Sequence, residues 1–141
     1  MYLDDITLGM EITTDRVVIE KEKMLAFANE YDPFPIHTDE EYAKDTRFGK
    51  IIAPGVMTFM SVWRKVVESD LIGDELVAGL STKIEWHKPV FAGDVLYGKG
   101  TVTKIERRNP YNGTMALTFL IYNDSDECVM TSVIESVIKY R

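Results

Sequence analysis

The chain has a single cysteine, Cys128, and two histidines, His37 and His87, among 141 residues. One thiol cannot close an intramolecular disulfide, and so few soft ligands leave little from which to build a structural zinc site. A reducing cytoplasm is the expected compartment. Basic residues are in deficit as well: 16 Lys and Arg stand against 23 Asp and Glu, a formal net charge of −7. That balance argues against nucleic acid or an anionic membrane as partner, since both select for clustered cations. No apolar run approaches the roughly 20 residues that span a bilayer, and no basic-then-apolar leader opens the chain. Linkers rich in Ser, Gly or Pro, internal repeats and low-complexity stretches are also missing. What remains reads as one domain over residues 1–141, with 45% of them hydrophobic, enough for a core without staples.

The order of elements carries the fold. A β-branched run over Ile12 to Ile19 predicts a first strand. Met24, Leu25, Phe27, Ala28 and Tyr31 recur at helical spacing, and Pro33 biases Asp32 away from helical geometry, so that helix should stop near Tyr31. Thr38 with Glu41 has the form of a capping box, predicting a short helix to about Thr46 that Gly49 closes, with His37 just ahead of it. From Pro54 to about Asp70 the helix pattern is apolar almost all round. Only Thr58, Ser61, Lys65 and Glu68 form a polar stripe, so a sheet should wrap it. Strand-like runs at about 76–88, 94–106, 114–122 and 128–140 supply that sheet, and the short turns between them predict antiparallel neighbours. A strand, helices, and then four antiparallel strands curled around a long central helix make an α+β, hot-dog arrangement.

The segment Asp32-Pro33-Phe34-Pro35-Ile36-His37 carries a carboxylate at one end and an imidazole at the other, stiffened by two prolines. Fully extended, it would hold the two groups on the order of 15 Å apart. It must bend if they are to share a substrate. Residue pattern alone modestly favours a plain connection between two helices, since caps and turns far outnumber active sites. Ala53-Pro54-Gly55 then opens the long helix, where free N–H groups and the positive dipole end await an approaching ligand. A carboxylate, an imidazole and a glycine helix start together meet the needs of enolate chemistry on a thioester.

This segment resembles the signature of the MaoC-like dehydratases and (R)-specific enoyl-CoA hydratases, whose motif reads Asp-x-Asn-Pro-x-His and runs on into a short helix. Lys88-Pro89-Val90-Phe91-Ala92-Gly93-Asp94 is similar to a second block of that family. The resemblance implies Asp32 and His37 as the catalytic pair and Gly55 as the oxyanion-hole N–H. It also implies hydration or dehydration of an enoyl-CoA or similar acyl thioester without metal or redox cofactor, and a homodimer or dimer of dimers. Phe34 stands where the family has Asn, removing a side-chain amide. Phe34, Met57 and Met60 are candidates for lining the substrate, with Phe59 beside them. A metal site from His37, Asp39 and His87 has no recognised ligand spacing, and none is expected. Two other readings stay open: a hot-dog acyl-CoA thioesterase, which the absence of an acid between Gly55 and Glu68 disfavours, and an acyl-thioester-binding domain without catalysis, which Phe34 favours.

Overall fold

The computed structural model describes residues 1–141. After a 3-10 turn at Leu3–Asp5 come two short strands, β1 (Glu11–Thr13) and β2 (Val17–Val18), followed by the helices α1 (Lys21–Tyr31), α2 (Pro35–Thr38), α3 (Glu40–Lys44) and α4 (Gly55–Glu68). The long strands β3 (Leu76–Trp86), β4 (Val95–Arg107), β5 (Asn112–Asn123) and β6 (Cys128–Lys139) complete the chain. All pairings are antiparallel, in the order β1-β4-β5-β6-β3, with β2 also on β4. This is the expected α+β arrangement, and the four long strands lie close to their expected positions.

Two expectations about the sheet are corrected. The first strand is interrupted, because Thr14 turns its hydroxyl inward to accept the Gly98 N–H at 2.8 Å, a place in the ladder that a backbone carbonyl would otherwise fill. The second concerns β3, whose neighbour is β6 and not β4. Tight hairpins do join β4 to β5 and β5 to β6, where Asn109 and Asn123 accept turn N–H groups through their side chains. The link from β3 to β4 instead runs past the start of α4: Val90 O accepts the Ala53 N–H at 2.7 Å, and the Gly93 N–H reaches Ile19 O at 2.7 Å.

The core lies between α4 and one face of the sheet. Phe59 and Trp63 stack on each other and meet Phe119 edge-on, with ring centroids 6.5 and 6.0 Å away. Phe119 is fully buried, and its ring fills the space beside Gly98, where a Cβ would lie 2.3 Å from Cζ. Any larger residue at 98 would displace that ring.

The helix is not wrapped all round, contrary to expectation. Thr58, assigned to the polar stripe, is buried, its hydroxyl donating to Gly55 O at 2.8 Å. Val56, Met60 and Val67 instead are 48%, 50% and 63% exposed. One chain has only one sheet face to offer, so a helix with two apolar faces leaves one of them open. Strand β3 is likewise exposed along nearly its whole length, including Leu76, Val77 and Leu80.

Replacing Phe119 with Ala removes the ring that joins helix to sheet, and the expected loss of stability is about 3–5 kcal/mol in equilibrium urea unfolding. Leu8→Ala, at an exposed position, should stay within about 0.5 kcal/mol. Equal effects from the two would contradict this placement of the core.

Candidate active site

Helix α1 ends where Asp32 leaves helical geometry (φ −151°, ψ 62°) as its N–H makes the last bond to Ala28 O, as a following proline demands. The Phe34 N–H then donates to Asp32 O at 2.8 Å, closing a three-residue turn around Pro33. Pro35 starts the single turn of α2, where a missing N–H costs nothing. The stiff segment therefore bends at both prolines, and the Asp32 Oδ2 arrives 3.3 Å from His37 Nε2.

The capping box does not form. Asp39 caps α3, its Oδ1 accepting the Tyr42 N–H at 3.0 Å, whereas the Thr38 hydroxyl donates back to Phe34 O at 3.3 Å. A carboxylate serves a helix start better than a hydroxyl, through both bond and dipole. His37 thus sits inside a helical turn, not in the connection ahead of one. Helix α3 stops at Lys44, and Gly49 (φ 74°) serves the turn beyond it. Lys21 pairs with Glu40 and ties the start of α1 to α3. Its ammonium holds the Glu40 carboxyl below the usual range. That small, exposed contribution is present at neutral pH and lost as pH falls through the carboxylate range.

His37 is 7% exposed, and its Nδ1 lies 2.8 Å from Ile52 O. A carbonyl oxygen can only accept, so Nδ1 carries a proton. Nε2, facing Asp32, is then the atom whose protonation changes. Ile52 in turn donates its N–H to Ile36 O at 3.0 Å. The strip before α4 is therefore held on one side by α2 and on the other by Val90. Thr58 makes the first helical bond, to Pro54 O at 3.1 Å, which leaves the N–H groups of Gly55, Val56 and Met57 ahead of it without helical acceptors.

Asp32, His37 and Gly55 line one cleft of about 360 Å³, within the size range of small-molecule sites. Three of the sequence candidates are thus brought together, and four are not. Phe34 is 63% exposed and lies outside the cleft lining. Met57 and Met60 line a different groove, with Phe27 and Val17. Phe59 belongs to the core.

Several cleft residues escaped the sequence reading of the site, Arg47, Phe48, Ile52 and Trp86 among them. Nothing local marks Trp86, because what brings it to Gly55 is the pairing of β3 with β6. Its indole occupies the space beside that glycine: a Cβ on Gly55 would lie 2.2 Å from Trp86 Nε1. The other expectations for side chains nearby are mundane in outcome. His87 shares a hydrogen bond with the Thr131 hydroxyl at 2.9 Å, and no group of three His, Cys, Asp or Glu side chains is placed to hold a metal ion.

Comparison with known proteins gives the same region a context. Residues 5–119 match the family model described as MaoC like domain. The uncharacterized protein YdeM of Bacillus subtilis (strain 168) is 31% identical, over 99% of both chains. Among solved structures, a MaoC-like dehydratase from Rhodospirillum rubrum is 29% identical and superposes with a TM-score of 0.87, covering 100% of this chain and 98% of that one. A monoamine oxidase regulatory protein from Archaeoglobus fulgius reaches 0.94 at 26% identity, covering 100% of this chain and 95% of that one.

The contact between Gly55 and Trp86 makes a direct prediction. Gly55→Ala should retain the fold while its methyl turns the indole out of the cleft, shifting tryptophan emission to the red. Trp86→Phe with Gly55→Ala should show no such shift. Unchanged emission in the single variant would mean that the indole does not stand where described.

Proposed function

The chain belongs to the MaoC-like domain family, and on that premise we propose that it is a hydro-lyase that hydrates an enoyl thioester, or dehydrates the 3-hydroxyacyl product, in the (R) sense. The observation that carries this reading is the meeting of Asp32 with His37 at 3.3 Å in the cleft that also receives the N-terminus of α4. The two side chains hold one water over the double bond. One of them accepts a proton from that water as its oxygen bonds to Cβ, and the π electrons move onto the thioester oxygen. The enolate then collapses as the other returns a proton to Cα from the same face. The Gly55 N–H stabilises the oxygen while it bears charge, a contribution typically of about 3–4 kcal/mol for one such donor. Acid/base assistance adds about 10²–10⁴ in rate. No electrons are gained or lost, so the proposed reaction calls for no redox cofactor.

The thioesterase alternative draws less support. Between Gly55 and Glu68 α4 carries no acid, and Glu68 is occupied by Arg64 and Lys65. The unpaired edge of β3 supports a dimer, since an exposed apolar edge strand is a liability unless another chain covers it. The open apolar face of α4 favours the same conclusion.

Purified protein should remove the enoyl-thioester absorbance of an enoyl-CoA, and chiral analysis should give the (R)-3-hydroxyacyl product. Asp32→Asn and His37→Ala should each lower kcat by at least about 10². No turnover across a range of acyl lengths, or full activity in both variants, would sink the assignment. For the assembly, sedimentation should give a dimer, and Leu80→Lys on the β3 edge should shift it to monomer.

A further inference from the structure

We propose that Trp86 is a second donor to the thioester carbonyl, acting beside the Gly55 N–H. The proposal rests on the thioester reading of the cleft. Its starting point is that the pyrrole ring of the indole lies face-on against the side-chain position of the first residue of α4, with Nε1 its nearest atom: a Cβ on Gly55 would lie 2.2 Å from Nε1 and 2.3 Å from Cε2. In standard geometry a backbone nitrogen is about 2.5 Å from its own Cβ. The Gly55 nitrogen and Trp86 Nε1 are therefore no more than about 4.7 Å apart. One oxygen can accept from two nitrogens at about 2.9 Å each so long as they are within about 5.8 Å of each other. The pair falls inside that limit.

The chemistry of the two donors is matched as well. An indole N–H donates and never accepts, so it cannot compete for the Gly55 N–H. Trp86 is 51% exposed and lines the cleft with Asp32 and His37, and its N–H has no acceptor within the chain. A carbonyl oxygen has two lone pairs, and the backbone N–H fills only one. Charge that develops on that oxygen during addition strengthens both bonds, so the second donor acts mainly in the transition state. The position also explains why residue 55 has to be glycine: a side chain there would take the place of the indole.

The substitution that tests donor against wall is Trp86→Phe, which keeps an aromatic ring in the cleft and removes the N–H. On an enoyl-CoA the expected result is a fall in kcat of about 10² with KM changed less than threefold, at an unaltered melting temperature. A kcat within twofold of wild type would overturn the proposal and leave the indole as packing alone. A second measurement does not depend on turnover or on the stability of that variant relative to wild type. Enoyl-CoA bound to the Asp32→Asn protein should show a red-shifted thioester absorption band, because hydrogen bonds polarise the conjugated carbonyl. Adding Trp86→Phe should shrink the shift, and an equal shift in both proteins would again overturn it. The same spectra distinguish this inference from the reading beneath it. A Trp86-dependent band shift in a protein that hydrates no enoyl thioester would sustain the donor pair and defeat the hydro-lyase. Absence of any acyl-CoA binding would defeat both.

Discussion

The hydrogen bond from His37 Nδ1 to Ile52 O is the constraint on which the site depends. Together with the bond from the Ile52 N–H to Ile36 O, it joins the proline-bent segment after α1 to the strip that leads into α4. Through the tautomer it imposes, Nε2 is turned to Asp32 and becomes the exchangeable position. Through Ile52 it also fixes where Pro54 and Gly55 begin the long helix, because Ile52 returns its N–H to Ile36 O and Ala53 is held by Val90 O. A single imidazole thereby sets both its own pairing with Asp32 and the distance from that pair to the free N–H groups. Its burial is what makes the bond effective, since water competes poorly for a carbonyl in a closed site.

Much of this was legible in the sequence because it is encoded locally. Pro33 stops α1, and Gly55 follows Pro54 at the head of α4, each through backbone geometry that a neighbour of one or two residues dictates, whereas the turn that Pro35 starts was read as connection. The four long strands were legible for the same reason, from their turns. What depended on partners distant in the chain was not. The pairing of β3 with β6, and with it the arrival of Trp86 over Gly55, has no local signal. The choice of Asp39 over Thr38 as cap turned on two adjacent acceptors, and the stronger one won. Met57 and Met60 were read as lining for the substrate because they follow Gly55 closely. Helical geometry turns them instead to the groove beside α1.

The apolar circumference of α4 was read correctly as a demand for cover, and misread as a demand on this chain's own sheet. Val62 and Val66 are buried against the sheet, while Val56, Met60 and Val67 remain open. The same incompleteness recurs on β3, which is exposed over both faces and unpaired on one edge. Hydrophobic patterning states how much surface has to leave water; it does not state which molecule supplies the other side.

That distinction bears on the site itself, because Trp86 is the last residue of β3. The strand that carries the indole to Gly55 is held by β6 on one side only, with Trp86 opposite Met130. A strand paired on both edges has less freedom to fray or twist than one at the rim of a sheet. Under the proposed dimer, pairing along the free edge of β3 would therefore steady the indole against the head of α4 without placing any partner residue in contact with substrate. The backbone N–H of Gly55 needs no such help, being set by α4 and the Ile52 strip. Of the two donors assigned to the thioester oxygen, one is thus fixed by the fold of a single chain and the other by an edge that the single chain leaves uncovered.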